Sequence, residues 1–323
     1  MFVQWLAVIL GLALLVWSAE RFVVGASAVA EKLGVPVLVI GMLLMGFGTS
    51  APEMLVAVQA SFDGSPGLAV GNALGSNIAN IALILGLTAL VTPVSVATGL
   101  VRKEIPLLLV VTVMAALLLL NQRLVWWQGG VLLVGLVIFL GYSYRLARQG
   151  ESAALLEEVE ASRQPLTQRQ AFFWLILGLL FLVLSSRLLV WGAVELALSW
   201  GVSETLIGLT LIALGTSLPE LAASLVAARK GQSDLVLGNL IGSNLFNLLA
   251  VLPIPALLAS GTLLEPEVIY RDLPVLLLVT LMLFAVAWGR PGEERVTRLE
   301  GVALLLSFLG YLGWLFYSLP GIK

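Results

Sequence analysis

Ten long apolar segments, separated by short polar stretches, run through almost the whole of this sequence. A helix needs about 20 mostly apolar residues to cross the hydrocarbon core of a bilayer, and each segment has close to that length. Only 11% of the 323 residues are charged and 60% are hydrophobic, whereas a soluble domain carries about 25% charged residues. Because a spanning helix pairs its own backbone groups, the chain is predicted to be an all-α integral membrane protein. The predicted spans are 2–24, 35–61, 67–92, 104–121, 124–145, 171–199, 203–228, 234–259, 272–289 and 298–318.

The residue types that are missing narrow the chemistry. The sequence has no Cys and no His, which excludes disulfides, thiol and imidazole catalysis and the usual zinc, iron and copper ligands. The net charge of −2 offers no basic surface to a nucleic acid. Polar chemistry is left to the oxygen atoms of carboxylates, hydroxyls, amides and backbone carbonyls. We expect the protein to lie in a lipid bilayer. We expect it to need neither a cofactor nor an obligatory protein partner.

The basic residues predict how the chain is oriented. Ten spans place alternate loops on opposite sides, with thirteen of the 17 Lys and Arg residues on one side and three on the other. Cytoplasmic loops carry the excess of Lys and Arg, so the side with thirteen is predicted to be cytoplasmic. The protein is then expected to cross the cell membrane many times, with both termini outside and a cytoplasmic linker at 147–170.

An internal repeat divides the chain. Residues 34–80 match residues 201–247 without a gap, with 19 identities in 47 positions. Each half then has five spans, 1–146 and 171–323, and an odd number of spans gives the halves opposite orientations. Inverted repeats are typical of secondary transporters, whose sites lie between the repeats near the bilayer midplane.

A six-residue motif lies mid-span in each half, Gly-Thr-Ser-Ala-Pro-Glu at 48–53 and Gly-Thr-Ser-Leu-Pro-Glu at 215–220. Proline has no N–H and clashes with the carbonyl four residues back, so Pro52 and Pro219 are predicted to kink spans 2 and 7. Carbonyls released in this way are tolerated at membrane depth only inside protein or beside water. An ordinary kink capped by hydroxyls is the alternative, although it leaves the repeated Glu unexplained. The carbonyls expected to be released are near Gly46–Thr49 and Ala213–Thr216.

Glu53 and Glu220 fall inside spans, whereas most other charges are expected in loops. A carboxylate at membrane depth costs of order 2.5–3.5 kcal/mol, and two facing carboxylates would repel unless one were protonated. A bound cation removes that repulsion. The alternative is a pair of protonated, hydrogen-bonded structural Glu residues.

A second motif, Gly-Asn-x-x-Gly-Ser-Asn-x-x-Asn, lies at 71–80 and again at 238–247. Its polar residues four apart share one helical face, and its small residues let another helix approach closely. Spans 3 and 8 are predicted, like spans 2 and 7, to be kinked or broken. Amide contacts between helices are the alternative role, above all for Asn72, Asn77, Asn239 and Asn244. The glycines expected at close helix contacts are Gly71, Gly75, Gly238 and Gly242.

Two carboxylates together with hydroxyl, amide and carbonyl oxygens form a ligand set for hard cations. Such oxygens suit Ca²⁺, which takes 6–8 ligands at about 2.3–2.6 Å, and they can also hold Na⁺. A charge of −2 neutralises one Ca²⁺, so we expect Ca²⁺ and Na⁺ to compete.

With its two motifs each present twice, the sequence resembles the sodium/calcium exchanger family of the calcium/cation antiporter superfamily, in the prokaryotic type without regulatory domains. The two repeats look like the α-1 and α-2 repeats of that family. The resemblance implies that Glu53 and Glu220 are central to Ca²⁺ and Na⁺ binding, and that Thr49 and Thr216 give backbone carbonyls to Ca²⁺. It implies further ligands in an inner Na⁺ site (Ser50, Ser76 and the Gly46 carbonyl), in an outer Na⁺ site (Ser217, Ser243 and the Ala213 carbonyl) and near the middle (Asn80 and Asn247).

The resemblance also implies the activity: alternating access by sliding of spans 1 and 6, with about three Na⁺ exchanged per Ca²⁺ and hence a response to voltage. An H⁺/Ca²⁺ or other cation/Ca²⁺ antiporter on the same scaffold remains the alternative. Asn247 stands where potassium-dependent relatives have Asp, which argues against K⁺ co-transport. An intramembrane enzyme is disfavoured because the spans contain no Asp pair.

Overall fold

A computed structural model describes residues 1–96, 101–148, 166–200, 213–287 and 295–317, and its architecture is almost entirely helical. Eight of the helices in these ranges are long and apolar enough to cross a membrane. The other two are α4, which has three charged residues in its first turn, and α7, which borders the undescribed residues 201–212. The helices are α1 (Phe2–Leu33), α2 (Val37–Phe62), α3 (Pro66–Val91), α4 (Val101–Leu119), α5 (Trp126–Arg148), α6 (Gln168–Ser199), α7 (Ala213–Thr216 and Leu218–Arg229), α8 (Ser233–Leu258), α9 (Val268–Ala287) and α10 (Arg298–Tyr317).

The protein is thus a multi-pass helical membrane protein, but part of the sequence prediction falls outside the described residues. The linker at 147–170 is described only at its two ends, and the first ten residues of the predicted span 203–228 are not described. Four two-residue strands depart from the purely helical prediction. The count of ten spans and their inverted arrangement stay predictions.

Helices α1 and α6 are longer than the sequence suggested, with 32 residues each. At a rise of 1.5 Å per residue, each is about 48 Å long, well beyond the roughly 30 Å of a bilayer's hydrocarbon core. The predicted first span ended at residue 24, but the helix continues because its next residues are small and buried against other helices. It ends at Gly34, whose φ of 62° is left-handed, a conformation that glycine adopts without strain.

The two long helices pack antiparallel through glycines at backbone distance. A Cβ added at Gly11 would lie 2.8 Å from the Leu189 nitrogen, and one added at Gly178 would clash with the backbone of Phe22. A stripe of small residues lets helix backbones approach this closely. Because contacts of this kind recur along both helices, α1 and α6 form one elongated pair beside the remaining helices.

Helices α2, α3, α7 and α8 are all interrupted. Helix α2 breaks at Ser50 and α7 at Ser217, each two residues before the proline of its motif, where the backbone leaves the helical region with ψ near zero. Proline cannot donate to the carbonyl four residues back, which explains a break at this place. Widened π-helical turns interrupt α3 and α8, and such turns often mark functional sites. They are Ala79–Leu85 in α3 and Asn247–Val251 in α8, and α2 has a further one at Gly41–Met45.

Helices α2 and α8 cross with their backbones in contact. A Cβ added at Gly46 would lie 2.7 Å from the Gly242 carbonyl carbon, and one added at Gly238 would lie 3.0 Å from the Cα of Gly41. Four glycines, two on each helix, therefore hold the first motif of one half against the second motif of the other.

Two short antiparallel strand pairs join the halves at the helix ends. Strand β1 (Val94–Ser95) pairs with β4 (Arg295–Val296), and β2 (Arg123–Leu124) pairs with β3 (Thr262–Leu263). Each pair takes one strand from each half. Helix α4 runs from the end with β1 to the end with β2, so the two pairs lie at opposite ends of the helix bundle.

Candidate ion-binding site

The breaks in α2 and α7 set the positions of the two carboxylates. Glu53 and Glu220 each lie in the first turn of the helical segment that follows the break, with a proline at the preceding position. The start of a helix has unpaired N–H groups and a partial positive charge, which favours an acidic side chain there. The repeated motif thus places one Glu from each half in the same kind of local structure.

Both carboxylates are fully buried, with 0% of their surface exposed. They lie close enough to repel each other electrostatically. None of their four oxygen atoms has a hydrogen-bond partner among the described residues. An unpaired buried polar group costs about 1–3 kcal/mol, and a charged one more. Two ionised carboxylates at this depth would therefore need a positively charged group, and no side chain among the described residues is paired with either of them.

Other buried oxygen atoms surround the pair. The hydroxyls of Ser76 and Thr216 face Glu53, and the hydroxyl of Thr49 faces Glu220. Six more side chains of the two repeated motifs have a buried oxygen without a partner among the described residues. They are those of Ser50, Ser76, Asn77, Asn80, Ser217 and Asn247.

The first motif of one half contacts the second motif of the other. The Thr49 hydroxyl donates to the Met45 carbonyl at 3.0 Å and lies 3.2 Å from the Ser243 hydroxyl. Ser243 also lies 3.5 Å from the Gly46 carbonyl oxygen. The Gly46 carbonyl is not released by the break as expected, because it accepts the Ser50 N–H at 3.1 Å.

Asparagines from α3 and α8 meet beside the carboxylates. The amide nitrogens of Asn77 and Asn80 donate to the backbone and side-chain oxygens of Asn244, both at 3.3 Å. Asn239 donates to Ser224 at 3.1 Å and lies 3.4 Å from the Glu220 carbonyl oxygen. Asn244 and Asn239 therefore hold helices together, whereas Asn80 and Asn247 keep a side-chain oxygen without a partner.

The close helix approach expected at four glycines is present at two of them, Gly238 and Gly242, where an added Cβ would meet the backbone of α2. No described residue lies within 4 Å of a Cβ added at Gly71 or Gly75. The segment of the second half that corresponds to the contacting part of α2 lies in 201–212, outside the described residues, so the close contact at these two glycines stays a prediction. Both line a cleft among the described residues.

That cleft has a volume of about 550 Å³ among the described residues. It starts at Ser65, in the loop before α3, and extends past Gly71 and Gly75 to Ser76 and Thr216. The last two residues are those whose hydroxyls face Glu53. The cleft therefore reaches the residues beside the buried pair.

The sequence analysis predicted no role for one residue beside the site, Ser186. The Ser186 hydroxyl of α6 donates to the Gly215 carbonyl at 2.9 Å. This carbonyl lacks its usual helical donor, because Pro219 has no N–H.

Two acidic residues, Glu104 and Asp272, are buried rather than placed at loop ends. A repeated signal marks both acidic residues, Lys-Glu-Ile-Pro at 103–106 and Arg-Asp-Leu-Pro at 271–274.

Comparison with known proteins agrees with this geometry. Residues 3–145 and 170–317 match the sequence profile of the family described as sodium/calcium exchanger protein. The chain is 45% identical over 320 residues to a putative antiporter, CaxA, of Alkalimonas amylolytica, covering 98% of this chain and all of that protein. It is 40% identical over 316 residues to the inner membrane protein YrbG of Escherichia coli, covering 97% and 96%. Its fold matches the solved sodium-calcium exchanger NCX_Mj with a TM-score of 0.83 at 31% identity, covering 97% and 98%.

Fold and site together define a helical membrane transport protein, and the relatives carry the names of transporters or membrane proteins rather than enzymes. The chain belongs to the sodium/calcium exchanger family.

Proposed function

We propose that this protein exchanges Na⁺ for Ca²⁺ across the membrane by alternating access, with both ions competing for the site at Glu53 and Glu220. The observation that supports this most directly is the group of buried, unpartnered oxygens around the two carboxylates. A hard divalent cation of the size of Ca²⁺ takes several oxygen ligands of these types. The family membership and the match to NCX_Mj support the same cargo.

The charge of the site supports exchange rather than joint transport. Two ionised carboxylates carry −2, which one Ca²⁺ neutralises. Adding several Na⁺ ions to the same buried site would leave excess positive charge at low dielectric, where repulsion is strong. Three Na⁺ in place of one Ca²⁺ leave a net charge of about +1, so exchange with that ratio would respond to voltage at about 2.3 kcal/mol per 100 mV.

The ligands are proposed from the same geometry. Glu53 and Glu220 bind both ions, with Ser50, Ser76, Ser217, Asn80 and Asn247 supplying further oxygens. Thr49 contributes its backbone carbonyl, while its hydroxyl donates to the Met45 carbonyl. Thr216, Ser243, Gly46 and Ala213 complete the proposed set.

The proposed motion and topology use two features of the fold. Helices α1 and α6 form an elongated pair that slides across the other helices, which are arranged as two inverted repeats of five spans. The strand pairs β1–β4 and β2–β3 each need their two strands on one side of the membrane, which suits this topology. The end with β1 and β4 is cytoplasmic, and both termini lie outside in the cell membrane.

A counter-ion test decides the proposal. Proteoliposomes loaded with Na⁺ are diluted into Na⁺-free buffer at equal pH, and uptake of radiolabelled Ca²⁺ is measured. We expect the Na⁺ gradient to drive uptake and a pH gradient without Na⁺ to give none. Uptake driven by the pH gradient and indifferent to Na⁺ would overturn the proposal in favour of H⁺/Ca²⁺ exchange, which two adjacent carboxylates could also perform.

A further inference from the structure

A second repeated motif lies outside the ion site. Lys-Glu-Ile-Pro at 103–106 begins the apolar part of α4, and Arg-Asp-Leu-Pro at 271–274 does the same in α9. In both copies a basic residue precedes an acidic one, and a proline follows two residues later. The match places Glu104 and Asp272 in corresponding positions of the two halves.

The structure gives the two acidic residues the same kind of partner. Glu104 is 0% exposed, and the Tyr142 hydroxyl of α5 donates to its Oε1 at 2.9 Å. Asp272 is 4% exposed, and the Tyr311 hydroxyl of α10 donates to its Oδ1 at 3.0 Å. Each half therefore buries a carboxylate–tyrosine pair between its fourth and fifth helices.

The two clusters lie at opposite ends of the bundle. Asp272 follows β3, which pairs with β2, whereas Glu104 follows β1, which pairs with β4. The two acidic residues therefore lie at opposite ends of the bundle. In an alternating-access transporter, an ion would reach the buried carboxylates from each of these ends in turn.

The two clusters also differ in a way that matches the open cleft. Arg271, Asp272 and Tyr311 line that cleft together with Glu265. At the other end Glu104 is completely buried, and its Oε2 has no hydrogen-bond partner among the described residues. One cluster faces open space and the other is closed.

The charges of the open cluster are balanced. Arg271 binds Asp272 through two contacts, Nε to Oδ1 at 2.8 Å and Nη2 to Oδ2 at 3.2 Å. Without Asp272, the Arg271 guanidinium would lose its direct partner, and the charge of the cleft would become more positive by one unit. A charge in a cleft with low-dielectric walls changes the local concentration and the arrival rate of ions.

We infer that the clusters Arg271–Asp272–Tyr311 and Lys103–Glu104–Tyr142 set the charge that a cation meets at the two mouths of its path. The first acts at the mouth that is open here, and the second at the mouth that opens when the protein alternates. The tyrosine of each cluster holds the carboxylate in position. This inference rests on the proposed cation exchange, and the residues concerned do not bind the ion at its central site.

A reporter that does not depend on transport tests the inference first. The chain has no Cys, and Gly71 lines the cleft with room for an added side chain. A Gly71→Cys variant is reacted with a cationic and with a neutral methanethiosulfonate reagent at low ionic strength. We expect Asp272→Asn to lower the cationic-to-neutral rate ratio by about threefold to tenfold, and Arg271→Gln to raise it. Asp272→Glu keeps the charge and serves as the control.

Salt supplies a further readout that a purely structural role would not move. The effects of Asp272→Asn and Arg271→Gln on the rate ratio should shrink as ionic strength rises to about 1 M, where the screening length is about 3 Å. A rate ratio that neither variant changes at low salt would overturn the inference, whatever the protein transports.

Transport then tests the two mouths separately. Each protein is reconstituted into vesicles in one defined orientation. Compared with the wild type, Asp272→Asn should raise the KM for Ca²⁺ on the face with β2 and β3 by about threefold to tenfold. Glu104→Gln should do so on the other face only. If wild-type flux is normal and both variants act equally on both faces, the inference is wrong while the proposed function stands. If the wild-type protein moves no Ca²⁺, the proposed function fails instead.

Discussion

The hydroxyl oxygens of Thr49 and Ser243 lie 3.2 Å apart, although 194 residues separate them in the chain. This contact joins the Gly-Thr-Ser motif of the first half to the Gly-Ser-Asn motif of the second. It is possible only because the backbones of α2 and α8 touch at their glycines. The site is thus built across the two halves, and its geometry depends on that helix contact.

The helix contact gives a matched pair of stability predictions. Gly242→Ala should destabilise the protein by about 1–3 kcal/mol, since the new methyl group would clash with the backbone of Met42 and force it to move. Gly310→Ala, on an exposed part of α10 with no described atom within 4 Å of its new methyl group, should change the stability little. Thermal unfolding in detergent measures both, and an equal loss in the two variants would contradict the account of close packing between α2 and α8.

The Ser186 hydroxyl should matter more than a neighbouring serine. Ser186→Ala removes the donor to the Gly215 carbonyl and should cost about 1–3 kcal/mol, because a buried acceptor loses its partner. Ser185→Ala is the control, since the Ser185 hydroxyl donates only to Leu182 in its own helix. Unfolding midpoints of the two variants should therefore differ. A Ser186→Ala midpoint equal to that of the wild type would show that the Gly215 carbonyl finds another donor.

The cleft should admit reagents from one side. A Cys placed at Gly71, which lines the cleft, should react with a membrane-impermeant maleimide added outside intact cells. A Cys placed at Ala73, which lies on the same helix and is 0% exposed, should stay unlabelled. Labelling of Gly71→Cys only after the cytoplasmic face is exposed would reverse the proposed orientation of the chain.

Much of the fold follows from the sequence because apolar length and the repeat are strong signals. Membrane helices must be apolar over a fixed length, and buried polar residues such as Glu53 and Glu220 stand out in such a background. The same approach misplaced Glu104 and Asp272. The apolar pattern predicts each as the first residue of a span, because a charged residue interrupts an apolar run. The structure instead buries both, and α9 begins at Val268, before Asp272.

The fate of the carbonyls near the two breaks could not be predicted. The Gly46 carbonyl still accepts the Ser50 N–H, whereas the Gly215 carbonyl accepts the Ser186 hydroxyl of another helix. A proline in the sequence shows where a backbone donor is missing. Packing between helices that are distant in the chain decides which group takes its place.

The central claim is that Na⁺ and Ca²⁺ exchange at Glu53 and Glu220. The measurement that tests it most directly is Na⁺-gradient-driven uptake of radiolabelled Ca²⁺ into proteoliposomes by the wild type and by Glu53→Gln and Glu220→Gln. The control is Asp63→Asn, which changes an exposed carboxylate at the end of the same helix as Glu53. The account predicts uptake by the wild type and the control, and a loss of at least about 100-fold in either Gln variant, as expected when a buried ligand charge is removed. Full uptake by Glu53→Gln and Glu220→Gln would contradict it.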